Sequence, residues 1–239
     1  MKNLKILVAS VFLLSMYLNA EEVYATFTVE AQKSANLAFS SGGIVAKVEV
    51  DVNSVVKKGE VLAVLQNDDL KAMLSVSQIA LKYAKKEYER QVKVKNIIDE
   101  AQFDQYAFKY EHARVQMLYQ QALLDKTVLK APFDGVIFAK SVEVGDTVSA
   151  AAIRTILKIQ SPHQRKLVLE VDQKYWRSLK AGQTFTYKVD GDDKTYSGKL
   201  TKVYVYADSG NRKIKAEVEA EDFVVGLFGD GYIHIPDTK

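Results

Sequence analysis

The sequence predicts an α+β protein in which a β-rich body is interrupted by two long helices folded back on one another. Three observations predict it. Residues 68–126 contain neither Gly nor Pro and carry apolar side chains at a helical period. The flanking stretches are rich in β-branched residues and broken by Gly- and Asp-containing turns. These flanks also resemble one another, residues 43–65 matching residues 135–159. Two half-motifs on either side of a helical insertion are expected to fold as one domain, because neither buries its apolar face alone.

At the N-terminus, Lys2 and Lys5 precede an apolar run at residues 6–18, and Asn19-Ala20 lead into Glu21-Glu22. Residues 1–20 are expected to be a secretory signal peptide, with an uncleaved anchor as the alternative. The run falls short of the roughly 20 residues that span a bilayer. Residues 27–66 read as short strands carried by Ile44, Val45, Val48, Val50, Val52, Val55 and Val56. Turns are expected at Ser41-Gly42-Gly43, at residues 51–54 and at Lys57-Lys58-Gly59-Glu60.

In the helical stretch, Leu70, Leu74, Ser77, Leu81, Ala84 and Tyr88 fall at alternating steps of four and three. Phe103, Tyr106, Tyr110, Ala113, Met117, Gln120 and Leu124 repeat the pattern. Each series is a seam of period 3.5, as in supercoiled helices. Asp99 can cap a helix and Gln102, three residues on, completes a capping-box pattern. The second arm is therefore expected from Glu100, giving an antiparallel hairpin with arms of about 27 residues, roughly 40 Å each. Ile79, Val92 and Leu123 are apolar beyond what one seam covers, which points to hairpins packing side by side.

Strands return at Leu129, with a turn at Ala131-Pro132-Phe133-Asp134-Gly135. From about Ser161 the pattern is that of an antiparallel sheet: Ile214, Ala216 and Val218 alternate with Lys213, Lys215, Glu217 and Glu219. Loops are expected at residues 190–194 and 207–212. A short helix is expected at residues 172–181, capped by Asp172 and stopped near Gly182.

The 239 residues carry a net charge of +3 with no basic block, which argues against nucleic acid as a partner. There is no Cys, so disulfides, thiolate metal sites and a cysteine nucleophile are excluded. His112, His163 and His234 lie on different elements, in no metal-binding spacing. Asp68-Asp69 reads as the acidic start of a helix. With no nucleophile or phosphate-loop motif, no catalytic residue, cofactor or metal is predicted, and a non-enzymatic role is expected.

In their order and spacing these motifs resemble the periplasmic adaptor proteins, or membrane fusion proteins, of tripartite efflux pumps. The carriers are Gly43-Ile44-Val45 against Gly135-Val136-Ile137, residues 61–65 against Ile156-Leu157-Lys158-Ile159, and the phrase from Lys130 to Ile137 that opens the second half. Ala181-Gly182-Gln183 and Tyr196-Ser197-Gly198-Lys199-Leu200 resemble the barrel domain of the same proteins. The resemblance implies a first lipoyl (biotinyl-lipoyl-like) half within residues 21–67, a coiled-coil hairpin at 68–127, the second half at 128–160 and an antiparallel β-barrel at 161–239. Val52 stands where the family has a turn glycine, and Asn53 is expected to take the left-handed conformation. The family's further membrane-proximal domain is expected to be missing or rudimentary.

The resemblance also implies a function: linking an inner-membrane efflux transporter to an outer-membrane TolC-like duct for export of drugs or other toxic compounds. A transporter of the resistance-nodulation-division (RND) type is favoured over an ABC type. It implies a ring of six copies and a periplasmic location, held at the inner membrane by partners or by an uncleaved signal. Many adaptors engage the duct through an Arg, Leu, Ser signature at the hairpin tip. Here Arg90 fits the arginine position, Asp99 stands in place of the serine, and Val94 and Val92 both qualify for the leucine. The partner-binding residues so implied are Arg90, Val94, Ile97, Ile98, Asp99 and Gln102. The alternatives are an adaptor of an ABC-type exporter or secretion system, and a lipoyl or biotin carrier. Against the carrier, Gln66-Asn67-Asp68-Asp69 offers no lysine where the modified turn would stand.

Overall fold

The structure is a computed structural model that describes residues 20–236. The expected signal segment, apart from Ala20, lies outside them. In chain order the elements are β1 (Ala20–Ala31), β2 (Ser34–Leu37), β3 (Gly43–Val48), β4 (Val55–Val56), β5 (Val61–Leu65), helices α1 (Asp68–Val92) and α2 (Glu100–Asp125), and β6 (Val128–Lys130). There follow β7 (Gly135–Lys140), β8 (Thr147–Val148), β9 (Leu157–Gln160), β10 (Gln164–Asp172), β11 (Thr184–Val189), β12 (Tyr196–Asp208), β13 (Lys213–Glu221) and β14 (Phe228–Pro236). They group into two compact units, one of residues 34–162 and one of the residues on either side. Among the described residues, no helix is long and apolar enough to cross a membrane.

The outer unit is a closed antiparallel barrel of order β1-β10-β13-β12-β11-β14. Period-two alternation builds it: Val23, Ala25, Phe27, Val29 and Ala31 of β1 are buried while Glu22, Tyr24, Thr26 and Glu30 are exposed. The same alternation sends Leu167, Leu169 and Val171 of β10 and Ile214, Ala216 and Val218 of β13 into one core. Phe27 meets Phe185 and Tyr187 there, at ring centroid distances of 5.9 and 5.3 Å. This corrects the expectation that strands begin at residue 27 and that the barrel is confined to residues 161–239. β1 starts at Ala20 and closes the barrel between β10 and β14 (Ala25↔Val171, Val23↔Ile233). Without it both neighbours would present bare edges.

A second correction concerns residues 172–181. Only Gln173–Tyr175 is helical, as one 3₁₀ turn capped by Asp172, whose carboxylate accepts the Lys174 N–H at 2.9 Å. The chain goes on in turns, Ser178 and Leu179 N–H donating to Tyr175 O at 2.9 and 3.1 Å; Leu179 enters the barrel core, and Gln183 ties the segment by donating to Ser178 O and accepting from Lys180 N. The expected loop at 207–212 is also shorter, since β12 runs on to Asp208.

The inner unit consists of two four-stranded sheets, β2-β9-β7-β4 and β6-β5-β3-β8, around one core. The two repeats exchange strands across these sheets: β4 of the first pairs with β7 of the second, and β8 of the second with β3 of the first. The turns obey the same two-fold logic. Asn53 N–H donates to Ile137 O (2.8 Å) and Gly145 N–H to Val45 O (2.9 Å), and Ile137 and Val45 donate back to Ser54 O (3.0 Å) and Asp146 O (2.8 Å). Both turn residues are left-handed, Asn53 at φ 70° and Gly145 at φ 95°, as the turn requires. Leu62, Leu65, Ile137, Ile156, Leu157 and Ile159, drawn from both halves, are the largest fully buried side chains here.

The two helices leave and re-enter this unit side by side. β5 pairs with β6 (Val61↔Lys130, Val64↔Val128), and buried Asn67 donates from Nδ2 to Thr127 Oγ1 at 2.8 Å. Thr127 in turn donates to Leu124 O (2.6 Å), so no polar atom of this pair is stranded. Near the other end of the helices, Tyr88 stacks on Tyr110 at 5.3 Å and meets Phe103 at 5.7 Å. The helices have 25 and 26 residues, and therefore extend about 38 Å. The residues repeating at steps of three and four in the sequence are the less exposed ones on each helix.

Candidate partner-binding surface of the helix pair

The six residues implicated by resemblance fall at the turn between α1 and α2 and in the helical turns beside it. Residues 93–98 continue the chain in turns closed by Val94 N–H to Gln91 O (3.0 Å) and Ile97 N–H to Val94 O (2.9 Å). Arg90, in the last turn of α1, donates from Nε to Lys86 O at 3.3 Å, which lays its stem along its own helix. Val94 is 38% and Ile97 85% exposed, so two aliphatic side chains meet water at the tip, with Ile98 half-buried beside them. Lys95 lies over the Phe103 ring at 4.8 Å, pinning the turn to the start of α2.

Asp99 is extended (φ −60°, ψ 137°) and its side chain accepts the Gln102 N–H at 3.2 Å. It caps α2 and places a carboxylate at the positive end of the helix. Asp99→Ala should cost about 1 kcal/mol of local stability. Amide exchange in the first turn of α2 should then quicken about fivefold, and unchanged protection there would refute the capping role.

Away from the seam, α1 exposes Met73 (55%), Val76 (68%), Ile79 (57%) and Tyr83 (59%), and α2 exposes Phe108 (69%), Val115 (59%), Leu118 (52%) and Tyr119 (57%). Ile79, Val92 and Leu123 are the examples of surplus apolar residues expected from the sequence, and Ile79 stands among the exposed ones. Val92 is 46% exposed, but Leu123 is half-buried and joins the less exposed face. Spacing at three and four residues, tracked on the face opposite the seam, carries the signal that would have found the rest. Arg90, Val94, Ile97, Ile98, Asp99 and Gln102 are thus brought together at one turn, whereas the surplus apolar residues run along the helices.

Residues 33–159 match the family model of the CzcB-like, barrel-sandwich hybrid domain. The chain belongs to this family. The barrel-sandwich hybrid takes in β2 to β9 together with both helices. An uncharacterized protein of Haemophilus influenzae is 24% identical over 222 residues, covering 90% of this chain and 58% of the relative. The cobalt-zinc-cadmium resistance protein CzcB of Cupriavidus metallidurans is 27% identical over 134 residues, 49% of this chain and 26% of the relative. The chain thus spans little more than half of the first relative's length and about a quarter of the second's. Among solved structures, a MacA–MexA chimera containing the α-hairpin domain of Pseudomonas aeruginosa MexA superposes with a TM-score of 0.83 at 20% identity, over 92% of this chain and 83% of that one. The sequence-level resemblance to periplasmic adaptor proteins therefore holds at the level of family and fold.

Proposed function

We propose that the protein is the periplasmic adaptor of an export pump, linking an inner-membrane transporter to an outer-membrane TolC-like duct. The observation that carries this reading is the pair of apolar stripes on a two-helix rod. Eight large apolar side chains, from Met73 to Tyr119, stand in water on a single copy, and neighbouring rods in a ring would cover them. The helices act as an antiparallel coiled-coil hairpin, six copies close the ring, and the tip formed by Arg90, Val94, Ile97, Ile98, Asp99 and Gln102 meets the duct. The inner-membrane partner is of the RND type, with an ABC-type exporter as the alternative. The cargo is a toxic compound, and the name of the CzcB relative adds divalent cations to drugs as a class to test.

Photo-crosslinkers placed at Ile79 and Ile97 separate the two contacts. Ile79 should yield copy-to-copy products up to a hexamer, and Ile97 should yield a product with the duct. Ile97→Asp should abolish duct pairing, Arg90→Ala should weaken it several-fold, and both should leave far-UV circular dichroism unchanged. Monomers only, with no product from the tip, would end the reading. A deletion strain scored against antibiotics, bile salts, cobalt, zinc and cadmium then assigns the cargo.

A further inference from the structure

Each helix carries a second stripe away from the seam that joins the pair. On α1 and its C-terminal cap it runs Val76, Ile79, Tyr83, Lys86, Arg90 and Lys93, at alternating steps of three and four. On α2 it runs Asp104, Phe108, Glu111, Val115 and Leu118, at alternating steps of four and three. All of these side chains are exposed. That spacing keeps to one face of a helix, so each stripe is a continuous surface for a neighbouring helix. Its chemistry changes along the rod. Next to the sheets both stripes are apolar, with Val76, Ile79 and Tyr83 on α1 and Val115 and Leu118 on α2. Towards the turn α1 becomes basic at Lys86, Arg90 and Lys93, and α2 becomes acidic at Glu111 and Asp104 around Phe108.

The two stripes also match in level. Asn67 bonds Thr127 at the root, and Tyr88 meets both Tyr110 and Phe103 near the turn, which fixes how far each helix has climbed. Equal numbers of residues up α1 from Asn67 and back along α2 from Thr127 bring Val76 level with Leu118, Ile79 with Val115, Lys86 with Phe108 and Arg90 with Asp104. The charges of the outer levels are opposite. Residues 82–95 hold six basic and two acidic side chains, net +4, whereas residues 99–111 hold four acidic and one basic, net −3. Some are engaged within their own helix: Lys85 with Glu89 at 3.8 Å, and Glu111 with Arg114 at 2.9 Å. Among the described residues no ion pair joins α1 to α2, so the opposite charges are not matched inside one hairpin.

We propose that the α1 stripe of one copy lies against the α2 stripe of the next, with the rods parallel, in a contact of two zones; this rests on the ring of copies set out above. At the root, Val76 and Ile79 meet Leu118 and Val115 of the neighbour, and the zone holds at any salt concentration. Towards the turn, Lys86 and Arg90 face the neighbour's Asp104, and the zone loosens as ionic strength rises. Charge decides which faces meet. Two α1 stripes would set net positive against net positive and two α2 stripes negative against negative, whereas unlike stripes attract. Contact between unlike faces repeats from copy to copy and can close into a ring, where like faces stop at a dimer. Salt screens exposed charges but does not weaken apolar burial, so the rods stay joined at the root while their tips part.

The chain has no cysteine, so introduced cysteines report single contacts. Full-length Ile79→Cys and Val115→Cys proteins, oxidised as a mixture, should form a disulfide dimer that neither forms alone. Lys86→Cys mixed with Phe108→Cys should do the same for the outer zone, with Arg90 and Asp104 left in place. Between about 0.05 M and about 1 M NaCl the outer product should fall about fivefold and the root product should stay constant. Adding Asp104→Lys to the Phe108→Cys protein should lower the outer product at low salt and spare the root product, with far-UV circular dichroism unchanged. A dimer from Ile79→Cys alone as abundant as from the mixture would overturn the pairing of unlike faces. Outer and root products that respond alike to salt, or an outer product untouched by Asp104→Lys, would overturn the two zones. No product from either mixture, while a photo-crosslinker at Ile79 still captures a neighbouring copy, would refute this pairing and leave the ring. Failure of that capture as well would remove the ring and this contact together, and duct pairing is read separately at Ile97.

Discussion

Ile137→Ala is expected to destabilise the two-sheet unit by about 4 kcal/mol, the cost of emptying a fully buried aliphatic site that cannot collapse. The residue belongs to the second repeat, yet its backbone bonds reach Asn53 and Ser54 of the first. Its side chain lies in a core that also holds Val45, Leu62 and Leu65. Damage in one repeat must therefore be felt by both. The two helices lie within this unit, so circular dichroism at 222 nm reports it, while Trp176 fluorescence reports the barrel. In urea the helical transition should move down by about 2 M, for a slope near 2 kcal/mol/M. A shift under about 0.5 M would show that the repeats do not share one core.

The second large effect lies on the outer face of the barrel. Glu217 is 8% exposed and accepts from Tyr204 Oη (2.7 Å), Lys202 Nζ (3.1 Å) and Lys166 Nζ (3.3 Å), and Lys166 also meets Glu30 at 3.6 Å. Burial alone would raise the Glu217 carboxyl, but the hydrogen bonds from Tyr204, Lys202 and Lys166 outweigh it and hold the group below the usual carboxylate range. A carboxylate lowered on folding contributes stability that is present above its unfolded value and lost as pH falls through its folded value. Glu217→Ala leaves two lysines and a tyrosine without their acceptor and should cost about 3 kcal/mol near neutral pH. Glu217→Gln should match the wild type at the acid limit and fall short of it at pH 7. Trp176-monitored unfolding at several pH values measures this, and parallel pH profiles for wild type and Gln variant would remove Glu217 as the source.

The sequence carried the helices well because a stretch without Gly or Pro, with apolar residues at a period of 3.5, has few other ways to fold. Asp99 and Gln102 were legible for a similar reason: capping is local chemistry, and the 3.2 Å bond joins residues three apart. Asn53 could be assigned its left-handed turn because the resembling family has a turn glycine beside it and asparagine tolerates that conformation. What escaped was non-local. The alternation of Val23, Ala25, Phe27 and Val29 was there to read, but that β1 closes a barrel with β10 and β14 depends on pairings across more than a hundred residues. In the 172–181 stretch Asp172 does cap a helical turn, but the turns that follow and the burial of Leu179 in the barrel core depend on tertiary packing. At the tip, residue identity fixed where the exposed aliphatics fall; their surplus along the rods was visible only once the seam was removed from view.

The clamp at the root of the helices has a consequence for size. β5 and β6 are zipped together, and Asn67 grips Thr127 across the gap, so the exit and entry points of the insertion are set by the sheets alone. Whatever is threaded between those two points leaves the socket untouched provided its ends come home together. Adding or removing seven residues in each arm keeps the seam in phase and changes the reach of the rod by about 10 Å. One body can thus be fitted with rods of different length, and the distance it bridges becomes a property tuned without re-engineering the part that folds.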